Sequence, residues 1–177
     1  MSIKFTKMIA VIGSSKEQYI HLSIPLGKLL AEKGYSLING GGSGVMLSTA
    51  KAFCSIPKRK GYVIGIIPSD SICSSPLDRA SYRSPPDYPN SYTEIIIRTH
   101  LHSSGTKGKN MASRNHIIIL SAASIIALPG GAGTQSEVEL AIEYKKPLVL
   151  LNSSGEWDSF SNLAPTVKSV SDAVEKI

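Results

Sequence analysis

Short runs rich in Ile, Val and Leu punctuate this chain, and each is followed by a turn and a longer amphipathic stretch. A strand with one wet face alternates apolar and polar residues. A run that is apolar on consecutive positions has to be buried on both faces, and a sheet covered on both faces by helices is a parallel one. The pattern therefore predicts an α/β architecture. It also sets where a ligand belongs, because in such sheets the crevice lies beyond the carboxyl ends of the strands.

Residues 8–12, 36–39, 62–67, 93–98, 124–128 and 147–151 read as strands, with a short terminal strand at 166–170 and a turn of helix from Ser171. Helices are predicted from the first turn toward Lys33, from the glycines at 40–44 through Phe53, over 107–121 and over 134–145. Ser14 with Glu17, or Ser15 with Gln18, offers a capping box for the first of these. Pro25 within it predicts a kink or a late start, and Gly34 ends it as a C′ glycine. In the helix over 107–121, Met111, Ile118 and Ala122 are expected on one side. The whole reads as a Rossmann-like, doubly wound parallel sheet in a single three-layer domain over residues 1–177, a length that buries a sizeable core. Residues 69–91 differ: Pro76, Pro85, Pro86 and Pro89 exclude a long regular element and predict a surface loop or lid.

With 42% hydrophobic and 18% charged residues the composition excludes wholesale disorder. No apolar run is long enough to span a bilayer. Residues 1–7 do not read as a signal peptide, since the apolar run after them is short and enters a turn. A cytoplasmic setting is expected, with Cys54 and Cys73 a reduced pair at no metal or redox spacing. The net charge of +6, clustered at Lys58-Arg59-Lys60, Lys107/Lys109 and Lys145-Lys146, fits either an anionic partner or a solvated surface. Aromatic residues make up 6% and do not interleave with the basic runs, so nucleic acid is not expected as a partner, and neither is a membrane.

Three glycine-bearing turns sit at strand carboxyl ends and are expected to converge on one cleft: Gly13-Ser14, Gly40–Gly44 and Gly130–Gly133. The last follows a buried strand at Pro129 and opens a helix at Thr134. Successive glycines let backbone N–H groups approach an anion without Cβ interference, and the helix terminus adds partial positive charge. A phosphate is the natural guest. The turn containing Gly41, Gly42 and Gly44 fails the dinucleotide fingerprint, whose third glycine would fall at Val45, and the chain has no Walker A loop. Thr134-x-x-Glu137 has the form of a capping box, so Glu137 is either a helix cap or a chemical group. Arg114 reads as a mid-helix residue. His21, His100, His102 and His116 share no metal-ligand spacing with the cysteines, and no Gly-x-Ser-x-Gly elbow occurs, so neither a metal nor a serine nucleophile is expected.

Pro129-Gly130-Gly131-Ala132-Gly133-Thr134-Gln135-Ser136-Glu137 resembles the Pro-Gly-Gly-x-Gly-Thr-x-x-Glu signature of the LONELY GUY (LOG) family of cytokinin-nucleotide phosphoribohydrolases, often mislabelled lysine decarboxylases. Val11-Ile12-Gly13-Ser14-Ser15, Asn39-Gly40-Gly41-Gly42-Ser43-Gly44-Val45-Met46, Gly65-Ile66-Ile67-Pro68 and Lys146-Pro147-Leu148 follow in the same order, so the resemblance covers about residues 8 to 155. It implies that Arg114 and Glu137 are the catalytic pair. It further implies that Gly13, Ser14, Gly41, Gly42, Gly44, Asn115, Pro129, Gly130, Gly131, Gly133 and Thr134 hold a nucleotide. The expected substrate is a purine nucleotide or another phosphate-bearing small molecule, with no cofactor, in a homodimer. Apolar positions spread around the helix at Val138, Leu140, Ala141 and Ile142 point the same way. The residue after the arginine is usually lysine in that family. Here it is Asn115, as in the sister molybdenum-cofactor carrier proteins, which leaves a non-catalytic carrier as the alternative.

Overall fold

The computed structural model describes residues 6–152 and 154–177; residues 1–5, most of the leading segment weighed above as a signal peptide, lie outside the described residues. The chain runs through β1 (Met8–Ile12), α1 (Ile20–Glu32), β2 (Ser36–Asn39), α2 (Val45–Cys54), β3 (Val63–Ile67), a short α3 (Pro76–Ser81) and β4 (Ile95–Arg98). A 3-10 turn at Gly105–Lys107 leads to α4 (Asn115–Ser121), β5 (Ser124–Ala127), α5 (Ala132–Glu143), β6 (Leu148–Leu151), β7 (Thr166–Val167) and α6 (Val170–Glu175). The strands form one parallel sheet in the order β4-β3-β2-β1-β5-β6-β7. The chain builds outward from β1 on one side, then returns to add β5 on the other. That reversal makes the β1–β5 junction the switch point of the sheet.

The consecutive apolar residues of the central strands divide between two cores. Ile9, Val11, Leu37 and Val63 face one layer, filled by Leu22, Leu26 and Leu30 of α1, Phe53 of α2 and Val174 of α6. Ala10, Ile12, Ile38 and Ile66 face the other, filled by Ile118 and Ile119 of α4 and by Val138, Leu140 and Ala141 of α5. This is the three-layer arrangement that continuous apolar runs require. The apolar positions around α5 are thus largely consumed inside the chain. The exception is β4, an edge strand whose Ile95, Ile96 and Ile97 are each more than 40% exposed.

Helix ends show where local grammar holds. After α1, the Gly34 amide donates to the Ala31 carbonyl and the Tyr35 amide to that of Leu30, with Gly34 at φ 77°, the paired bonds of a Schellman C-cap. The start of α1 departs from the expected capping box. Ser14 Oγ does accept from the Lys16 and Glu17 amides, but the helix begins only at Ile20. The intervening residues are pulled toward α2: the Val45 amide donates to the Ser14 carbonyl, and the Ser43 and Ser48 hydroxyls donate to those of Ser15 and Gln18. Pro25 lies inside the helix on its exposed side, where the carbonyl it fails to bond meets water.

Two further expectations need correction, and the 69–91 reading gains detail. Helix α4 starts at Asn115, not 107, and Met111 is 93% exposed in the preceding loop instead of sharing a face with buried Ile118. Gly108 packs closely there: a Cβ on it would lie 2.5 Å from the Asn115 side-chain nitrogen and closer still to Ser136 Oγ. The 69–91 segment contains α3, nucleated by a capping box in which Ser75 Oγ accepts from the Asp78 amide and the Asp78 carboxylate from that of Ser75, with Pro76 at the first helical position. The terminal strand is confined to Thr166–Val167 and the final helix starts at Val170. No helix among the described residues is long and apolar enough to cross a membrane.

Candidate active site

A cavity of about 390 Å³ opens at the carboxyl end of the sheet beside the switch point. Gly13 and Ser14 line it from the turn after β1, and Gly131, Ala132, Gly133 and Thr134 from the turn after β5. The two turns are bonded together, the Ser14 amide donating to the Pro129 carbonyl at 3.1 Å. Gly130 lies in the seam between them, where a Cβ would strike Thr134 Oγ1 and lie 2.9 Å from the Ser14 nitrogen.

Gly131 differs in kind. Its φ is −89° and a Cβ would meet no atom within 4 Å, so neither backbone conformation nor packing asks for glycine. A side chain there would project into open space at the cavity rim. Gly131 is also the N-cap of α5, with no side chain capping the helix and no acidic residue in its first turn. The first bond of the helix runs from the Gln135 amide to the Gly131 carbonyl. The amide groups before it are the unpaired, partially positive end of a twelve-residue helix. This arrangement suits an anion.

The boundary of α5 also decides the role of Glu137. Because the helix starts at Ala132, Thr134 is its third residue and Glu137 its sixth, so the capping-box reading of Thr134-x-x-Glu137 fails. Glu137 instead lines the cavity half-buried, and desolvation pushes its carboxyl up to about 7 while the charge of Arg114 pulls the other way. Among the described residues no hydrogen bond or ion pair to the Glu137 carboxylate is found.

Arg114 is not mid-helix but the N-cap residue of α4, and it is 4% exposed. Its Nη1 donates to the carbonyls of Gly40, after β2, and of Ile66 in β3, the latter at 2.7 Å. Nε finds no partner among the described residues. Burial lowers its affinity for its proton, though an arginine so placed keeps its charge. Asn115, 3% exposed, lines the cavity beside it.

The structure sets Gly41, Gly42 and Gly44 behind the cavity wall, not on it. Asn39 Oδ1 accepts from the Gly41 amide at 2.8 Å to form the turn. Gly44, at φ 63° as N-cap of α2, is packed against the Ser14 and Ser15 backbone, a conformation and a closeness that only glycine combines. Pro129 and Gly130 likewise shape the wall from behind. Conversely, Lys16, Met46, Tyr88, Ser104, Gly105 and Thr106 line the cavity and were not singled out from the sequence. Only Lys16 carried a signal, as a cation two residues beyond a glycine turn. The Ser104–Thr106 stretch is held over α5 by Ser136, whose hydroxyl donates to the Gly105 carbonyl, and by Lys109, which pairs with Glu139 and Glu143.

Comparison with known proteins adds four findings. A family model described as the SLOG cluster4 family matches residues 6–176. The chain is 32% identical over 145 residues to an uncharacterised protein of Archaeoglobus fulgidus, covering 81% of this chain and 78% of that one. It is 30% identical over 167 residues to the cytokinin riboside 5′-monophosphate phosphoribohydrolase LOG of Oryza sativa subsp. japonica, covering 89% of this chain but 59% of the rice protein. Among solved structures, the molybdenum cofactor carrier protein of Chlamydomonas reinhardtii is similar with a TM-score of 0.71 at 26% identity, over 97% of this chain and 95% of that one.

Proposed function

The chain belongs to the SLOG cluster4 family, and from that premise we propose that it hydrolyses the N-glycosidic bond of a purine nucleoside 5′-monophosphate to free base and ribose 5-phosphate. One observation carries the reading: a carboxyl poised near neutrality and a buried guanidinium line the same cavity as an uncapped helix N-terminus. The cavity volume sits at the lower end of the small-molecule range of roughly 300–1,000 Å³, which suits one mononucleotide.

In this reading the phosphate sits on the amides of Gly131–Thr134, with Ser14 alongside, and the ribose lies between them and Glu137. Cleavage of the bond between C1′ and the base nitrogen passes through an oxocarbenium-like state. The Glu137 carboxylate stabilises the developing positive charge and accepts a proton from the attacking water, whose oxygen bonds to C1′; the base departs with the bond pair and takes a proton from solvent, to which Glu137 returns its own. An acid with a value near 7 is matched to that task at neutral pH. Arg114 fixes the ligand and keeps Glu137 ionisable. The activity for which the rice relative is named and the signature at 129–137 support this assignment.

The second reading is a carrier that holds a phosphate-bearing ligand uncleaved. Asn115, buried in the cavity wall next to Arg114, and the likeness to the molybdenum cofactor carrier favour it. Either reading includes a cytoplasmic location, supported by two free cysteines. Either also includes a homodimer, for which the exposed isoleucines of β4 supply a better surface than α5. Incubation with a panel of nucleoside 5′-monophosphates, scored for ribose 5-phosphate, tests the proposal. Protein that binds AMP yet releases no adenine overturns the hydrolase in favour of the carrier.

A further inference from the structure

Among the described residues, the Arg114 guanidinium bonds to backbone carbonyls through one nitrogen, Nη1. Those bonds hold one end of the group, while Nε, away from that end, finds no partner among the described residues. Beside the guanidinium lies Tyr88, whose ring centroid is 5.1 Å from the guanidinium carbon. An arginine and an aromatic face at this separation attract, more strongly when water is excluded. Tyr88 comes from the segment between β3 and β4, far from either strand end, and that segment is anchored at the site. The Asn90 amide donates to the Gly41 carbonyl at 2.7 Å and Asn90 Nδ2 to that of Gly42 at 2.9 Å.

The glycines after β2 bear the imprint of this pair. A Cβ on Gly40 would stand 2.5 Å from Arg114 Nη2, and one on Gly42 would stand 2.7 Å from the Tyr88 hydroxyl. Neither residue has a left-handed φ, so it is space and not conformation that both positions give up. Gly40 makes room for the guanidinium and Gly42 for the ring that lies over it.

We propose that Tyr88 is a positioning residue of this site: its ring holds the Arg114 guanidinium in place, and through Arg114 sets the field at Glu137. This rests on Arg114 and Glu137 being the working pair named above. It makes the segment from 68 to 94 a fixed wall of the site, where its prolines alone suggested a surface loop or lid.

The test reads Glu137 directly. Its titration is followed by carboxyl 13C NMR, assigned with Glu137→Gln, in wild-type protein and in Tyr88→Leu and Tyr88→Phe variants. The other titratable or charged groups lining the cavity are Arg114, Lys16 and Tyr88 itself. Leu keeps apolar bulk but no π face, so the guanidinium loses the aromatic attraction that holds it and Glu137 loses part of its cation. The midpoint is expected to rise by roughly half a pH unit or more, against the shift of 1–3 that a close opposite charge produces. Phe keeps the face, and the midpoint stays near the wild-type value. A folded Leu variant with an unmoved midpoint overturns the proposal, as does a Phe variant that moves as far as Leu. If Tyr88→Leu does not fold, Gly42→Ala, which pushes the ring edge aside, is expected to raise the midpoint in the same way, and its failure to do so is equally decisive. Turnover is not the readout. A midpoint that moves in protein releasing no ribose 5-phosphate rejects the hydrolase and leaves the role of Tyr88 standing.

Discussion

Replacing Glu137 by Gln should make this protein more stable while disabling it. In the folded chain the carboxyl is pushed up to about 7 from an ordinary 4.5, chiefly by desolvation. The unfolded chain therefore releases this proton near pH 4.5 and the folded chain only near pH 7. Between those values the unfolded state binds fewer protons, so stability falls as pH rises, by about 1.36 kcal/mol per pH unit. Above pH 7 the full cost stands, at about 3 kcal/mol. Gln is isosteric with the protonated acid and escapes it. Urea unfolding of both proteins at pH 5, 7 and 9 should show near-equal stability at pH 5 and a gap that widens to as much as about 3 kcal/mol at pH 9, in favour of Gln. A helix cap would give the opposite sign, a loss of up to about 1 kcal/mol. The same substitution should lower hydrolysis by roughly two orders of magnitude or more, as when a preorganised electrostatic partner is removed. A Gln variant no more stable than wild type at pH 9 refutes the claim that Glu137 carries a desolvated charge.

Gly131→Val should leave the circular dichroism spectrum unchanged and abolish AMP binding by calorimetry, since its side chain enters only open space at the cavity rim. Gly130→Ala, which drives a methyl into Thr134 and the Ser14 backbone, should instead destabilise by roughly 1–3 kcal/mol in urea, the usual scale for overpacking. Gly40→Ala displaces the Arg114 guanidinium, so its loss of turnover should approach that of Arg114→Ala, and the double variant should be no worse than either, because the pair is one unit. Light scattering at micromolar concentration should give twice the 18.9 kDa chain mass, and Ile96→Lys, which places a charge on the β4 edge, should halve it. A monomeric wild type would remove that interface.

The fold was legible in the sequence because burial on both faces leaves a mark that needs no partner information: 8–12, 124–128 and 147–151 are apolar at nearly every position, and each contains a buried strand. The glycine turns were legible as turns. Their division of labour was not, because a glycine is silent about whether it serves a ligand, a neighbour or its own φ. Gly131 borders open space, Gly42 a packed ring, and Gly44 has a left-handed φ, and only the atoms around each separate them. Tyr88 left no trace in its own neighbourhood of prolines and serines, since its role is defined by residues 48 and 26 positions away, at Gly40 and Arg114. The late start of α4 left no trace either. The Met111–Ile118–Ala122 spacing is helical, yet the helix begins only at Asn115, with Gly108 packed closely against Asn115 and Ser136 before it. Thr134 and Glu137 misled in the other direction: a sound local motif was overridden by a helix that begins two residues early.

The cavity wall is assembled from six stretches of chain that lie as far apart as Val11 and Glu137, each tied to the next by backbone bonds such as Ser14 to Pro129 and Val45 to Ser14. Such a site has no half-made form. A molecule that fills it binds the folded chain and has nothing to grip in the unfolded one, so occupancy and global stability become one linked quantity. At a hundred times its Kd a ligand adds about 2.7 kcal/mol, and at roughly 2–4 °C per kcal/mol for a chain of this length the melting temperature rises by roughly 5–11 °C. The ligand therefore announces itself as heat resistance, and a thermal-shift screen of phosphate-bearing metabolites becomes a direct search for what this protein was selected to hold.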